Sequence, residues 1–392
     1  MKKVLLLCAS HNDLGLVRAL RKLNYYIIVT GNTPGLIGEK FTDKYIQADY
    51  SDKDLLLQIA IEEKIDAVCA CCNDYGVYTA AHIAEALDLP GYDSYETTLT
   101  LHNKDKFKIF AKEHGIVTPS AESFTSIDKA KDAAEQFAYP IMVKPTDCSA
   151  GNGISKVENK AEVLVAINLA FENTREGRIV IEPYIIGTQH GFCTFLKNRK
   201  VVAFCSNNEY SIINPYRVEI DTFPADNHNQ VKDGLIAQVE KIADILTLKD
   251  GIFHLQYIMD GKRAYIIEVM RRTIGNMYWL PAGMSNGFDW NYWEARARCG
   301  LSCDGFPHTT TQEGYYAYKA LHASRNGILK DVDIPKKYEK YLLDSCILKE
   351  PGYIITRHKS DPIGLLFFQF SSAEEMRHLL VEEYDNTLVK VL

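Results

Sequence analysis

The sequence contains no long hydrophobic run. Among its 392 residues, no apolar stretch approaches the ~20 residues that a helix needs to span a bilayer. The short apolar run 4–8 ends at polar residues, and Leu7 stands where a lipidation signal requires a small residue before Cys8. We therefore expect a buried first strand here, and no membrane partner.

Paired cysteine spacing and a surplus of basic residues are also missing. None of the ten cysteines has zinc-type spacing, and Cys69, Cys71 and Cys72 lie in an apolar run that a buried strand explains. Free thiols in a cytoplasmic protein are the expectation. The net charge is −7, with lysine and arginine scattered among acidic residues, which argues against nucleic acid as a partner.

Residues 1–98 lack the motif of a dinucleotide-binding domain. Short apolar runs alternate there with amphipathic stretches, which predicts a Rossmann-like parallel sheet with crossover helices. However, the turn after the first strand reads Ala-Ser-His-Asn-Asp-Leu-Gly instead of Gly-x-Gly-x-x-Gly. The second strand ends at Thr30 without a following acid that could hold a ribose. Nicotinamide binding is therefore not expected.

The rest of the chain predicts further mixed units. Residues 103–184 alternate helices, strands and one glycine loop, and residues 190–280 combine strands with one long helix. Strand-like runs dominate beyond residue 300. A chain of this length forms two or three packed units.

The strongest local motif is a strand that delivers one lysine to a small-residue loop. Residues 139–145 read Tyr-Pro-Ile-Met-Val-Lys-Pro, and residues 149–153 read Ser-Ala-Gly-Asn-Gly. Such a loop lets backbone N–H groups approach phosphate oxygens, while Lys144 supplies a positive charge. No Gly-Lys-Ser/Thr follows, so this is not a Walker loop. A surface turn beside an extended lysine is the alternative interpretation.

Two neighbouring segments add weaker signals. Lys104 opens a helix that ends at Gly115, a typical helix C-cap. The segment 179–187 is typical of a strand that runs into an irregular bend, whose bare backbone groups could read an adenine edge. A plain linker between lobes explains the bend equally well.

A predicted hairpin carries candidate metal ligands. The strands 253–258 and 264–272 are joined by an Asp-Gly-Lys turn, a good hairpin signal. The hairpin can bring Gln256 and Glu268 onto one face, where oxygen ligands suit Mg²⁺ with nucleotide phosphates. A solvated Gln and Glu pair remains the alternative.

The order and spacing of these four signals resemble the ATP-grasp superfamily, including biotin carboxylases, carbamoyl phosphate synthetase large subunits and L-amino-acid ligases. The resemblance covers nearly the whole chain and implies α/β and α+β architecture. It implies a Rossmann-like domain at residues 1–98, an ATP-grasp domain at 99–300 with a lid lobe at about 115–186, and a small β-rich domain at 301–392 that completes the ligase.

The resemblance also implies roles for individual residues, with ATP and Mg²⁺ as cofactors. The phosphates would be held by Lys104 and Lys144 and covered by the loop that contains Ser149, Gly151 and Gly153. Glu182, Tyr184 and Ile185 would frame the adenine, Gln189 would face the ribose, and Gln256 and Glu268 would bind Mg²⁺. The proposed catalytic residues are Glu268 and Arg272.

Two departures from the family pattern stand out. Met270 occupies the position of the usual metal-binding Asn, although Arg272 and Gly275 keep the arginine and glycine that follow it. The chain also lacks the length and duplication of a carbamoyl phosphate synthetase, and it has no Met-Lys biotin-acceptor signal.

The implied function is ATP-dependent ligation of a carboxylate to an amine, through an acyl phosphate, with release of ADP and phosphate. Arg272 would hold the carboxylate, and Arg217 would either assist or lie on the surface. The alternatives are a regulatory ATP-binding protein without turnover and a simple kinase. Small-molecule carboxylate and amine substrates and a homodimer are the expected partners. The segments 207–225 and 273–290 carry the specificity, but their sequence does not name the substrates.

Overall fold

A computed structural model describes residues 1–148, 151–307 and 311–392 of the protein. In these ranges the strands form four sheets. No helix in the described part of the chain is long and apolar enough to cross a membrane. All ten cysteines are unpaired.

The first sheet is parallel, with strand order β3-β2-β1-β4. Its central strands are buried on both faces, which explains why they appear in the sequence as continuous apolar runs. Asp13, after the first strand, accepts a hydrogen bond from Cys72 N at 2.8 Å and so joins two loops at the carboxyl edge of the sheet. The elements of this region are β1 Lys3–Leu7, α1 Leu14–Lys22, β2 Tyr26–Gly31, β3 Lys44–Gln47, α2 Lys53–Glu63, β4 Ala67–Ala70, α3 Asp74–Ala86 and α4 Tyr95–His102.

The second sheet belongs to a small α+β lobe and has the order β5-β8-β6-β7, with antiparallel neighbours. Two helices cover one face of it and enclose a separate apolar core. The preceding helix ends as expected at Gly115, which adopts φ 62°. The elements are α5 Lys104–His114, β5 Glu122–Phe124, α6 Ile127–Ala134, β6 Ile141–Pro145, β7 Ser155–Val157, α7 Val163–Asn173 and β8 Ile179–Pro183.

The largest sheet has eight strands, all antiparallel to their neighbours, in the order β13-β12-β9-β10-β11-β14-β18-β16. The predicted hairpin is confirmed, and Gly261 in its turn adopts φ +92°. The elements up to residue 298 are β9 Thr188–Lys197, β10 Lys200–Tyr210, β11 Ile220–Phe223, α8 His228–Ile245, β12 Gly251–Met259, β13 Ala264–Met270, α9 Trp279–Asn286 and α10 Trp290–Arg298.

The carboxyl-terminal strands continue this same sheet across residue 300. Tyr318 in β14 pairs with Asp221 in β11, so the β-rich end of the chain shares its backbone hydrogen bonds with the preceding region. A small sheet of order β17-β15-β19 packs beside it. The elements are β14 Tyr315–Leu321, β15 Gly327–Val332, α11 Lys336–Glu339, β16 Leu342–Ile347, β17 Ile354–Ile355, β18 Gly364–Phe370, α12 Ala373–Arg377 and β19 Val389–Val391.

Candidate functional site

A cavity of about 470 Å³ is lined by residues of the small lobe, the largest sheet and the loops of the parallel sheet. Most side chains selected from the sequence lie in its wall. These are Lys104, Lys144, Gly151, Glu182, Tyr184, Ile185, Gln189, Gln256, Glu268 and Arg272.

The alternation of side chains along a strand explains why polar groups collect here. In β12, His254, Gln256 and Ile258 line the cavity, whereas the intervening Leu255 and Tyr257 are fully buried in the core on the opposite face. Successive residues of a strand point to opposite faces. One face of the sheet is therefore apolar and packed against helices, and part of the other face forms the polar floor of the cavity.

Lys144 and Glu182 form a buried ionic cluster at one end of the cavity. Glu182 is only 2% exposed, and its carboxylate contacts Lys144 and lies 2.9 Å from Lys108 Nζ. Burial alone would raise the pKa of Glu182, but Lys108 and Lys144 outweigh that effect and hold the pKa at about 2. The side chain of Glu182 is thus committed to two lysines.

Lys104 connects the small lobe to the predicted metal ligands. Its Nζ donates to Cys148 O at 2.7 Å and lies 3.1 Å from Glu268 Oε1. Burial opposes the charge of Lys104, but Glu268 more than compensates, so the pKa of this lysine is raised. Lys104 thus lies between the small lobe and the hairpin, and its expected contact with phosphate stays a prediction.

Gln256 and Glu268 are directly opposite each other in the β12–β13 pair. Both line the cavity, and together they offer an amide and a carboxylate, the hard oxygen donors that Mg²⁺ accepts alongside phosphate oxygens. The donor set thus fits Mg²⁺ carried by a nucleotide. Met270 also lines the cavity, but a thioether is a poor ligand for this ion.

Arg272 is held by Asp74, the first residue of helix α3 beside the parallel sheet. Its Nε donates to Asp74 Oδ1 at 2.7 Å, and His102 Nδ1 lies 3.2 Å from the same oxygen. Because Arg271 N donates to His102 Nε2, the proton of a neutral His102 sits on Nδ1. Burial would raise the pKa of Asp74, but Arg272 and then His102 outweigh it and hold that pKa well below its usual range.

The glycine loop packs against a second loop, formed by residues 211–219. A Cβ on Gly151 would lie 2.5 Å from Tyr216 O, and Gly151 adopts φ +72°. Gly153 does not line the cavity; a Cβ there would meet Pro145 and Asn173. Ser149 lies outside the described residues. The two glycines thus permit close backbone packing of the loop, and their expected contact with phosphate stays a prediction.

The remaining predicted residues lie along the cavity wall. Tyr184 N donates to Pro140 O at 3.0 Å, and the Tyr184 ring lies under Lys156 Nζ at 4.2 Å. Gln189, expected at a ribose, donates to Glu209 Oε2 at 2.7 Å. Arg217 also lines the cavity, and its assisting role stays a prediction.

Sequence reasoning missed a second polar group in the same cavity: Glu209, Asp221, His254 and Tyr318. Burial, with smaller opposing hydrogen bonds, raises the pKa of Glu209 to about 7. Burial and the charge of Glu209 raise the pKa of Asp221. Burial lowers the pKa of His254 to about 3, so this imidazole is neutral. Polar residues inside apolar strands were the available signal, since Asn-Asn-Glu interrupts β10.

Comparison with known proteins identifies the fold of this chain. Residues 102–215 match the family described as phosphoribosylglycinamide synthetase, ATP-grasp (A) domain. The chain has the ATP-grasp fold, as the sequence predicted, with the parallel amino-terminal sheet and the β-rich carboxyl-terminal region.

Particular relatives share this architecture at low sequence identity. The carbamoyl phosphate synthase large chain of Clostridium acetobutylicum is 25% identical over 283 residues, which span 68% of this chain and 25% of the relative. The chain thus spans about a quarter of the length of that relative. An L-amino acid ligase from Bacillus licheniformis superposes with a TM-score of 0.84 at 18% identity, covering 100% of this chain and 99% of the other. The biotin carboxylase domain of the Hydrogenobacter thermophilus 2-oxoglutarate carboxylase, described as a dimer with MgADP, ADP and bicarbonate, gives a TM-score of 0.79 at 18% identity, covering 99% of this chain and 91% of the other.

Proposed function

We propose that the protein is an ATP-dependent ligase that joins a carboxylate to an amine and releases ADP and phosphate. One observation carries the proposal. The same cavity is lined by three cations, Lys104, Lys144 and Arg272, and by the oxygen donors of Gln256 and Glu268. A set of cations beside hard oxygen ligands suits a polyphosphate with its metal ion.

Lys104 and Lys144 are proposed to bind the phosphates, and Gln256 and Glu268 to hold Mg²⁺. The metal ion, when bound, would neutralise charge on the phosphate oxygens. Both lysines contact carboxylates, Lys104 that of Glu268 and Lys144 that of Glu182. Glu268 offsets the burial of Lys104 and raises the pKa of its ammonium group, which favours the charged form.

Arg272 is proposed to orient the substrate carboxylate. That carboxylate accepts the terminal phosphoryl group of ATP to form an acyl phosphate, and an amine then displaces phosphate from the acyl carbon. The chain provides no covalent nucleophile in this scheme, so rate enhancement comes from positioning and from cations around the transferred group. The small lobe with its glycine loop would exclude water from the acyl phosphate.

The product analysis tests this proposal directly. Phosphorus NMR of a complete reaction, run with pairs of small acids and amines, is expected to show ADP and orthophosphate without AMP or pyrophosphate. Glu268→Gln should abolish turnover, because it removes a charged oxygen from the metal site. Pyrophosphate as the main product, or an active Glu268→Gln variant, would contradict the assignment.

Met270 favours one rival, a regulatory protein that binds ATP without turning it over. This residue places a thioether in the cavity where an amide oxygen is usual in the family pattern. ADP release that depends on an acid and an amine would exclude the rival. Nucleotide binding without ADP release for any pair would support it. A homodimer is a further proposal, motivated by the dimeric biotin carboxylase domain and tested by light scattering.

A further inference from the structure

Two carboxylates face each other across neighbouring strands at the floor of the cavity. Glu209 in β10 is directly opposite Asp221 in β11, and both line the cavity. Side chains at directly opposed positions of an antiparallel pair lie on the same face, with Cβ atoms about 4.5–5.5 Å apart, and like charges there are destabilising. The arrangement therefore requires compensation by a cation or a proton.

The protein itself supplies no cation to this pair. In the described ranges, neither Glu209 nor Asp221 forms an ion pair with lysine, arginine or histidine. Glu209 is held by neutral donors, Gln189 Nε2 at 2.7 Å and Gln256 Nε2 at 2.8 Å. Asp221 is 2% exposed, and its Oδ1 has no hydrogen-bond partner in the described part of the chain. A buried, unpaired oxygen in a cavity wall indicates a missing donor.

A glycine, Gly191, lies beside the acidic pair. Gly191 lies on the neighbouring strand β9, and a Cβ there would come within 2.5 Å of Asn207 Oδ1 and 2.9 Å of Glu209 Oε1. Glycine at this position thus lets the side chain of Glu209 pack closely against β9. On the other side, Tyr318 is the register partner of Asp221 and also lines the cavity.

The donors present favour an ammonium group over a metal ion. Hard divalent ions take six or more oxygen ligands, whereas Glu209 Oε2 already accepts hydrogen bonds from Gln189 Nε2 and Gln256 Nε2. A primary ammonium group needs fewer partners, since it carries three hydrogen-bond donors. The carboxylate oxygens of Asp221 and Glu209 offer acceptors for it, beside the Tyr318 hydroxyl, which already accepts a hydrogen bond from Asn276 Nδ2 at 3.1 Å.

We propose that Asp221 and Glu209 form the subsite for a primary ammonium group on a substrate of the ligase, which makes α-amino acids the substrate class. An α-amino acid also brings a carboxylate, which Arg217, four residues before Asp221 and in the wall of the same cavity, is placed to meet. The proposal rests on the proposed ligase function for its reaction, but the subsite is defined by binding alone.

Binding measurements on the full chain test the subsite. The probes are the twenty common L-amino acids, each paired with its deaminated carboxylic acid, titrated by calorimetry in the presence of Mg-ADP. At least one amino acid should bind about ten- to a hundredfold more tightly than its deaminated partner, as charge-assisted hydrogen bonds imply. Asp221→Asn should remove this preference and leave Mg-ADP affinity unchanged, whereas Asp344→Asn, an exposed change in the edge strand β16, should keep both.

The melting temperature of Asp221→Asn shows separately whether this variant folds. Because Asp221→Asn relieves the opposed charges with little change in shape, it should melt at the same or a higher temperature than the parent protein. The proposal is overturned if no amino acid binds better than its deaminated partner, or if Asp221→Asn keeps the preference. It is also overturned if Mn²⁺ alone binds and that binding disappears in Asp221→Asn, because the pair would then be a metal site. Amino-acid binding without ADP release would overturn the ligase function and leave the subsite standing.

Discussion

The carboxylates at the two ends of the cavity have different kinds of partner. At the end near the small lobe, each carboxylate has a cationic partner: Glu182 has Lys108 and Lys144, and Glu268 has Lys104. At the floor, Glu209 and Asp221 face each other, with only neutral donors around Glu209. The first end is stable as it stands, whereas the second is stabilised by a proton or a bound cation.

The two ends of the cavity therefore differ in the charge that they offer to a ligand. The paired end holds its cations in fixed positions beside carboxylates, where an anionic ligand could meet them. At the unpaired end, a cationic ligand would relieve the repulsion between the two carboxylates. Such an unfavourable arrangement is typical of functional sites rather than of structural cores. Changes at the two ends should therefore have different effects on stability and on binding.

The largest effect is expected from Glu182→Gln. This change leaves Lys108 and Lys144 buried without a countercharge, and breaking a buried ion pair in this way costs about 3–5 kcal/mol. Urea unfolding measures it. The matched control is Glu158→Gln, which removes the partner of Lys156 in an exposed pair of the same lobe and should leave the free energy of unfolding almost unchanged, because solvent screens such a pair. Equal losses of unfolding free energy in the two variants would contradict the special contribution of the buried cluster.

Nucleotide affinity gives the next effect. Lys104→Ala and Lys144→Ala should each weaken Mg-ATP binding by about ten- to a hundredfold, or ~1.5–3 kcal/mol, since each removes a charged donor from the phosphate site. Calorimetry provides the measurement, and Lys129→Ala, an exposed change in α6, is the control. Unchanged affinity in both variants would place the nucleotide elsewhere.

The pH dependence of stability sharpens the comparison further. Because the pKa of Glu182 is held at about 2, below the ordinary value of about 4.3, its contribution is complete above the ordinary value and is lost as pH falls toward 2. The stability gap between the parent protein and Glu182→Gln should therefore shrink by about 1–2 kcal/mol between pH 7 and pH 3. A gap that grew on acidification would contradict the ionic origin of the effect.

The smallest effect is expected at Met270. Replacing it with Asn restores an amide oxygen near Glu268, so Met270→Asn should be tolerated and should lower the Mg²⁺ concentration for half-maximal nucleotide binding. Asn276, the other candidate oxygen donor, uses its amide nitrogen on Val218 O and Tyr318 Oη. If Met270→Asn left the Mg²⁺ dependence unchanged, the hairpin would not be the metal site.

Local chemistry determined much of the fold in advance. The hairpin with Gln256 and Glu268 was predictable because an Asp-Gly turn joins adjacent strands, and adjacent strands usually pair. The end of α5 at Gly115 was predictable because glycine tolerates the left-handed conformation. Family resemblance placed Lys104, Lys144 and Arg272 in one site, and the structure brings these side chains to one cavity.

Only the tertiary structure decided which partners these residues have. Lys108 appeared as an ordinary helix residue, yet it shares Glu182 with Lys144 across 74 positions of sequence. Asp74 holds Arg272 from helix α3, which packs on the parallel sheet, and Tyr318 joins Asp221 from beyond the domain boundary expected at residue 300. Side-chain periodicity determines which face a residue takes, but the pairing of distant strands depends on the packing of the whole chain. The opposed pair of Glu209 and Asp221 is a consequence of that packing.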